Sequence, residues 1–210
     1  MKNLHTQLAL FFALFATVSM AQEDMRDKVV FGLKAGLNYS NVWDEQNEDF
    51  QADGKGGFAG GAFLSIPLGT LLGLQPEVMI SQKGFQGSGT FLTFPYSYST
   101  TTTFLDVPLL LAFKPSPHIT LLAGPQYSFL LSETNRFTSD NVTSEQYEEF
   151  ENDNIRKNIL GIHVGADVNI SHFVISPRAG WDFQSNHGDG TSSTPRYKNQ
   201  WLQLTLGYRF

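Results

Sequence analysis

The feature that most constrains the fold is an alternation of bulky apolar residues with small or polar ones, repeated over eight long runs. In LGIHVGADVNI at 160–170, every second residue is apolar, and the residues between are Gly, His, Gly, Asp and Asn. A period of two places the two sets on opposite faces of a β-strand. We therefore predict eight strands, at 28–40, 57–68, 73–85, 103–114, 118–131, 158–170, 173–185 and 198–210.

The gaps between these runs alternate in length. The short gaps are 69–72, 115–117 and 171–172, and the long gaps are 41–56, 86–102, 132–157 and 186–197. Short turns at one end and long loops at the other are typical of an antiparallel up-and-down barrel with an even number of strands. Both ends of the chain are then expected at the short-turn end.

The volume of an eight-stranded barrel decides which face points inward. Its interior is only just wide enough for side chains, so five or six large apolar side chains from each strand would overfill it. A soluble barrel is the alternative, but it would place Gly, Asn, Lys and Asp on a surface poor in charge. We therefore predict that the apolar face contacts lipid, over the roughly nine to eleven tilted residues with which a strand spans a membrane. The predicted girdle aromatics are Phe31, Phe113, Phe173, Tyr208 and Phe210 at the short turns, and Tyr39, Phe85, Phe129, Trp181 and Trp201 at the long loops.

The first 21 residues have the pattern of a secretory signal peptide. Lys2 supplies a positive charge, LALFFALFATV an apolar core, and Ser19-Met20-Ala21 a cleavage site. The apolar run is shorter than the roughly 20 residues of a spanning helix, which disfavours a membrane anchor. We predict a signal peptide at 1–21 and one barrel domain at 22–210.

Composition excludes some partners and some sources of stability. Without the signal segment, the formal net charge changes from −6 to −7, which argues against nucleic acid as a partner. The chain contains no Cys, so disulfides do not stabilise it after export. A continuous hydrogen-bonded sheet is therefore expected to do so.

The last run, WLQLTLGYRF at 201–210, alternates up to its final residue. Backbone groups in lipid must all be paired, so this strand is expected to pair with the first strand and close the barrel. A terminal Phe after alternating apolar residues also resembles the signal by which the barrel-assembly machinery recognises its substrates. We therefore predict that Phe210 is an assembly signal as well as a girdle aromatic.

Five stretches carry a more specific resemblance. They are FGLKAGLNYSNV at 31–42, LQPEVMISQKG at 74–84, FLDVPLLLAFK at 104–114, LLAGPQYSFLL at 121–131 and LTLGYRF at 204–210. They resemble the strands of the PorT-like family of small outer-membrane β-barrel proteins, over essentially the whole mature chain. The resemblance implies an all-β, eight-stranded transmembrane barrel in the outer membrane of a Gram-negative cell, with short periplasmic turns and long extracellular loops. Some relatives serve protein secretion or gliding, so an accessory role in secretion is one implied function.

Charged residues on the predicted inner face nearly balance in sign. They are Lys34, Lys83, Lys114, Arg178 and Arg209 against Glu77, Asp106, Asp167 and Asp182, with Gln75 and His163 among them. Buried ions are tolerated when they are paired and hydrogen-bonded, so we predict a charge network that fills the lumen. Arg178 and Asp167 are expected to share it with Glu77 or Asp106. A narrow porin-like pore is the alternative, although eight strands leave little room for a channel.

No catalytic, cofactor or metal site is predicted. His163 and Asp167 share a face but lie about 13 Å apart along a strand, which is too far for a dyad. Ser128 or Ser176 could approach His163 from neighbouring strands, so a lipid-modifying enzyme is the least favoured alternative. The glycines of GKGGFAGG at 54–61 loosely match a phosphate-binding pattern, but without a helix behind them we interpret them as relief of crowding.

The long gaps suggest how the protein meets its surroundings. Gaps 41–56 and 132–157 are rich in Asp and Glu, which predicts solvated acidic loops, with Ca²⁺ binding as the alternative. The stretch FLTFPYSYSTTTTF at 91–104 is interpreted as strands that extend above the membrane and could add to a partner's strand. We predict a monomer without a cofactor and with a structural or binding role. Its predicted partners are outer-membrane lipid and lipopolysaccharide, the barrel-assembly machinery, and a surface protein contacted through the loops.

Overall fold

The computed structural model describes residues 24–43, 52–91, 94–139, 142–148, 155–188, 190 and 196–210. The predicted signal peptide at 1–21 lies outside these residues. The described chain forms nine strands: β1 Val30–Trp43, β2 Asp53–Pro67, β3 Leu72–Phe91, β4 Phe94–Ser116, β5 Ile119–Ser139, β6 Val142–Glu148, β7 Asn158–Ile170, β8 Phe173–Asp182 and β9 Lys198–Arg209. Over these same ranges, no helix is long and apolar enough to cross a membrane.

Eight of the nine strands close into a ring. Neighbours pair antiparallel in the order β4, β3, β2, β1, β9, β8, β7, β5, and β5 pairs back with β4. The seam between β1 and β9 runs from Gly32 opposite Arg209 to Trp43 opposite Lys198. Beyond it, the Phe210 N–H donates to the Phe31 carbonyl at 2.9 Å. The predicted eight-stranded up-and-down barrel is confirmed.

The two faces of the strands separate as the alternation predicts. Along β9, Leu202, Leu204 and Leu206 are 61%, 55% and 65% exposed, whereas Gln203 and Thr205 are 4% and 0% exposed. Apolar side chains cover the outer surface, and the interior contains the polar ones together with some apolar ones such as Met79 and Leu110. Because exposed apolar area of this extent is costly in water, the outer wall is suited to the hydrocarbon of a membrane.

Two of the predicted girdle aromatics are inside the barrel. The five at the short turns are exposed, as are three at the long loops, but Phe85 and Trp201 are each only 3% exposed. Their assignment to the lipid-facing rim was wrong. Phe85 lies two residues after the inward-facing Lys83, and Trp201 lies two residues before the inward-facing Gln203. The period of two therefore already places both rings inside the barrel.

Strands β3, β4 and β5 continue beyond the ring and form a sheet with β6. Pairing of β3 with β4 extends to Phe91 opposite Phe94, and pairing of β4 with β5 extends to Tyr96 opposite Ser139. The hairpin of β5 and β6 pairs from Ser139 to Glu133 of β5. We call this sheet, made of the outer parts of β3, β4 and β5 together with β6, the extension.

The extension corrects the interpretation of 132–157 as a solvated acidic loop. Residues up to Ser139 belong to β5, and Val142–Glu148 form β6. The β-prone residues Val142, Thr143 and Tyr147 favour a strand in spite of the surrounding carboxylates. The interpretation of 91–104 as strands is in agreement with the structure.

Candidate functional site

All nine predicted lumen residues have buried side chains inside the barrel. Their exposed fractions lie between 1% and 8%: Lys34, Glu77, Lys83, Asp106, His163, Asp167, Arg178, Asp182 and Arg209. Six of them form two ion-paired clusters. The other three bond elsewhere or, in one case, have no hydrogen-bond partner among the described residues.

The first cluster, which we call the Lys34 cluster, joins four strands across the lumen. The Lys34 ammonium lies 2.5 Å from Glu77 Oε2. Arg178 Nη2 lies 2.7 Å from Asp167 Oδ1 and 3.4 Å from Glu77 Oε1. Gln75 Nε2 donates to both carboxylates, at 2.9 Å to Glu77 and 3.1 Å to Asp167. Two cations and two anions thus neutralise each other away from solvent, as buried charges require.

Small residues provide the space that these long side chains occupy. Gly165 is the Cα partner of Arg178 on the adjacent strand, and a Cβ at Gly165 would lie 2.5 Å from Arg178 Cδ. A Cβ at Gly207 would lie 3.2 Å from the Lys34 Cβ. These glycines leave room for long charged side chains in a lumen that eight strands make narrow.

The second cluster, which we call the Lys83 cluster, lies nearer the long-loop end. The Lys83 ammonium lies 3.3 Å from the Asp106 carboxylate, and Ser81 donates to the same carboxylate at 2.5 Å. The ammonium also lies 3.7 Å from the centroid of the Trp201 ring and 4.8 Å from that of Phe104. Cation–π contacts of this kind strengthen when the groups are desolvated.

The division into two clusters refines the predicted network. Arg178 and Asp167 share their cluster with Glu77, and Asp106 belongs to the other one. The roles of Trp201 and Phe104 beside Lys83 were missed. Their inward face follows from the alternation, but the contact itself depends on the register across several strands.

The three remaining residues are placed as follows. Asn199 Nδ2 donates to Asp182 Oδ2 at 2.7 Å, and the Arg209 guanidinium donates to the Ser171 carbonyl. Neither ring nitrogen of His163 has a hydrogen-bond partner among the described residues, and its ring lies 5.9 Å from Trp201.

The serines considered as partners of His163 bond to other groups. Ser176 donates to Asp167 at 2.7 Å, and Ser128 accepts from Gln126 at 3.1 Å. The described part of the chain therefore does not form a Ser-His pair of the kind that activates a nucleophile. Over the same residues, no group of three or more His, Cys, Asp or Glu could hold a metal ion.

Both ends of the lumen are covered. At the long-loop end, Val42, Phe85 and Tyr197 pack together, with the rings of Phe85 and Tyr197 5.0 Å apart. Burial raises the pKa of the Tyr197 hydroxyl well above its ordinary value, so it stays neutral. At the short-turn end, Lys114 Nζ donates to the Arg26 carbonyl at 3.2 Å. The cavity behind Arg26 has a volume of about 20 Å³, enough for about one water molecule.

The extension presents aromatic and hydroxyl side chains outside the ring. The rings of Tyr96 and Phe137 stack at 6.0 Å, and Phe137 is exposed. On the opposite face, Lys55 donates to Ser99 Oγ at 2.5 Å and to Thr101 Oγ1. The outer edge of β6 pairs with no strand among the described residues, since β6 is the last strand in the sheet order.

Comparison with known proteins gives a family and a set of similar folds. The model of the family described as outer membrane protein beta-barrel domain matches residues 20–188. Among curated proteins, none matches the sequence. The solved structure of Ail, the attachment invasion locus protein of Yersinia pestis, in complex with the heparin analogue sucrose octasulfate, is 15% identical, with 87% of this chain and 99% of that chain covered and a TM-score of 0.46.

Two further solved structures are also similar to this chain. Neisserial surface protein A is 9% identical, with 86% of this chain and 97% of that chain covered and a TM-score of 0.49. The outer membrane protease OmpT from Escherichia coli is 11% identical, with 87% and 95% covered and a TM-score of 0.42.

Proposed function

The chain belongs to the outer membrane protein beta-barrel domain family, and from this premise we propose that it is a closed, non-conducting barrel that binds a protein partner at the cell surface. Its place is the outer membrane, where lipid and lipopolysaccharide surround its apolar wall. The lumen network has a structural role in this proposal, and the extension is the interaction site. A finer placement with the PorT-like proteins, and with it an accessory role in secretion, is part of the same proposal.

The outer edge of β6, which pairs with no strand in the part of the chain that the structure describes, is the observation that carries the proposal. An edge strand presents a row of N–H and C=O groups that another chain can pair with. Recognition by strand addition uses such edges, with side-chain contacts supplying specificity. The exposed Phe137 on the adjoining strand β5, and Tyr96 stacked on it from β4, supply apolar contact on the same sheet. An enzymatic role receives no comparable support from the geometry around His163.

The proposal is tested by photo-crosslinking on intact cells. A photoreactive residue at Thr143 in β6 should capture a defined protein, because that position is exposed beside the free edge. Replacing Val142–Glu148 with a Gly/Ser segment of equal length should abolish capture by a photoreactive residue at Ser97. The barrel should keep its heat-modifiable migration, since β6 is outside the ring. Lys28→Gln at the short-turn end is the matched control and should capture as the wild type does. Capture that persists without β6, or no capture at all, would contradict the proposal.

From the filled lumen we expect that the purified barrel does not conduct ions. In planar bilayers, the wild-type protein should give no discrete conductance steps, because two ion-paired clusters and covered ends fill a lumen that eight strands make narrow. A general porin reconstituted in the same bilayers serves as the positive control. Reproducible single-channel steps from the wild type would favour the narrow-pore alternative.

A further inference from the structure

A depression in the outer wall extends over four adjacent strands, β2, β1, β9 and β8. One outward row that borders it consists of Phe58, Leu37, Leu204 and Pro177, which are Cα partners across the sheet. The next row toward the long loops includes Gly56, Tyr39 and Leu202. The depression has a volume of about 770 Å³, within the range of roughly 300–1,000 Å³ that is typical of small-molecule sites.

Gly56 is the position that keeps the upper end of this depression open. A Cβ at Gly56 would meet no atom within 4 Å, so a side chain there would project into empty space. The neighbouring side chains of Leu37 and Tyr39 are 70% and 60% exposed and stand out as its walls. The exposed lining of the depression is mostly apolar, although Asn38, Gln82, Arg178 and Gln203 also border it. It lies among the lipid-facing residues, so it is suited to a hydrocarbon chain.

A cationic site directly precedes this depression in the chain. Lys55 precedes Gly56, and its ammonium donates to the hydroxyls of Ser99 and Thr101. Those two residues continue the outward face of β4, which includes the exposed Leu109. The ammonium is therefore on the outer surface of the barrel, above the lipid-facing residues.

A second cation lies on the same surface. Arg136 is the Cα partner of Ser99 and is exposed. Burial and the nearby positive charge of Arg136 both lower the pKa of the Lys55 ammonium from its ordinary value, as expected of two cations close together. Two adjacent cations with hydroxyl donors are a suitable arrangement for a phosphate group, in a protein whose net charge is otherwise negative.

We propose that the apolar depression and the Lys55 site together bind one phosphorylated lipid of the outer leaflet, with an acyl chain in the depression and a headgroup phosphate at Lys55. The two parts follow the order of such a lipid along the membrane normal. The depression for the acyl chain lies deeper in the membrane, and the Lys55 site for the phosphate lies nearer the long loops. This site is separate from the β6 edge, so it stands or falls independently of the proposed surface partner.

The test uses the mature protein in nanodiscs of zwitterionic phosphatidylcholine and two added probes. The probes are bis-phosphorylated lipid A and the same lipid with its phosphates removed, and native mass spectrometry measures how much of each stays bound. Lys55→Gln should weaken retention of the phosphorylated lipid about five-fold, the factor expected for one basic residue at a membrane surface. It should leave retention of the dephosphorylated lipid unchanged.

The depression is tested separately with Gly56→Leu. This variant should weaken retention of both lipids, because the new side chain fills the space for the acyl chain without meeting the backbone. Lys28→Gln, at the short-turn end, should retain both as the wild type does. Equal retention of the two lipids by the wild type, an equal loss of both in Lys55→Gln, or full retention in Gly56→Leu would overturn the proposal. Displacement of the phosphorylated lipid by inorganic phosphate alone would likewise show a free-anion site and overturn it.

Discussion

Replacing Arg178 with Leu should lower the free energy of unfolding of the barrel by about 3–5 kcal/mol, the usual cost of removing one partner of a buried ion pair. Arg178 contacts both Asp167 and Glu77, so its loss leaves two buried carboxylates with Lys34 as the only cation of the cluster. Refolding into lipid vesicles and comparing urea unfolding midpoints measures the effect.

The double variant Arg178→Leu with Asp167→Leu is the matched control. It restores a balance of one cation and one anion, Lys34 and Glu77, which remain paired at 2.5 Å. It should therefore recover much of the stability lost in the single variant, a non-additivity expected of residues in direct contact. A double variant that is less stable than Arg178→Leu alone would show that the pair stabilises by packing or hydrogen bonding and that its charge balance is unimportant.

Val78→Arg should cost about 2–4 kcal/mol, because a charged side chain on the lipid face is most unfavourable at the middle of the bilayer. Val78 is 51% exposed on the outer wall and lies about midway along the part of β3 that belongs to the ring. The same refolding assay measures the cost.

Val168→Arg is the control for depth. Val168 is also on the outer face, but it lies two residues before the end of β7, beside the turn at Ser171 and His172. Near the interface, the same change should cost only about 0–1 kcal/mol. Equal costs at the two positions would contradict the depth at which the barrel is placed, and a harmless Val78→Arg would contradict the assignment of faces.

The alternation of residues was enough to predict the strands of the ring and the face of nearly every side chain. The alternation is informative here because neighbouring positions of every strand face lipid and lumen in turn, and these two surroundings favour different residue types. Outside the ring, neighbouring positions do not face lipid and lumen in turn, so the alternation weakens, and β6 was missed for this reason. Phe85 and Trp201 were misplaced for another reason, since being aromatic was given more weight than their position in the alternation.

The pairing of charges could be predicted only in part. Sequence places Glu77 and Asp106 on the same inner face, but it does not show which of them reaches Arg178. That choice depends on register and shear around the ring, which set Glu77 beside Lys34 and Arg178 and leave Asp106 with Lys83. A contact that crosses several strands, such as that between Lys83 and Trp201, cannot be recognised from the residues that neighbour each partner in the sequence.

The seam between β1 and β9 has a consequence for assembly kinetics. It joins the two strands that are farthest apart in the chain, so its formation carries the largest loop-closure entropy of any pairing in the ring. Until it forms, β1 and β9 each present an open edge on which another chain can pair. Once it forms, both edges disappear together. We therefore expect that slower closure of the seam increases the fraction of newly exported protein that is lost to aggregation.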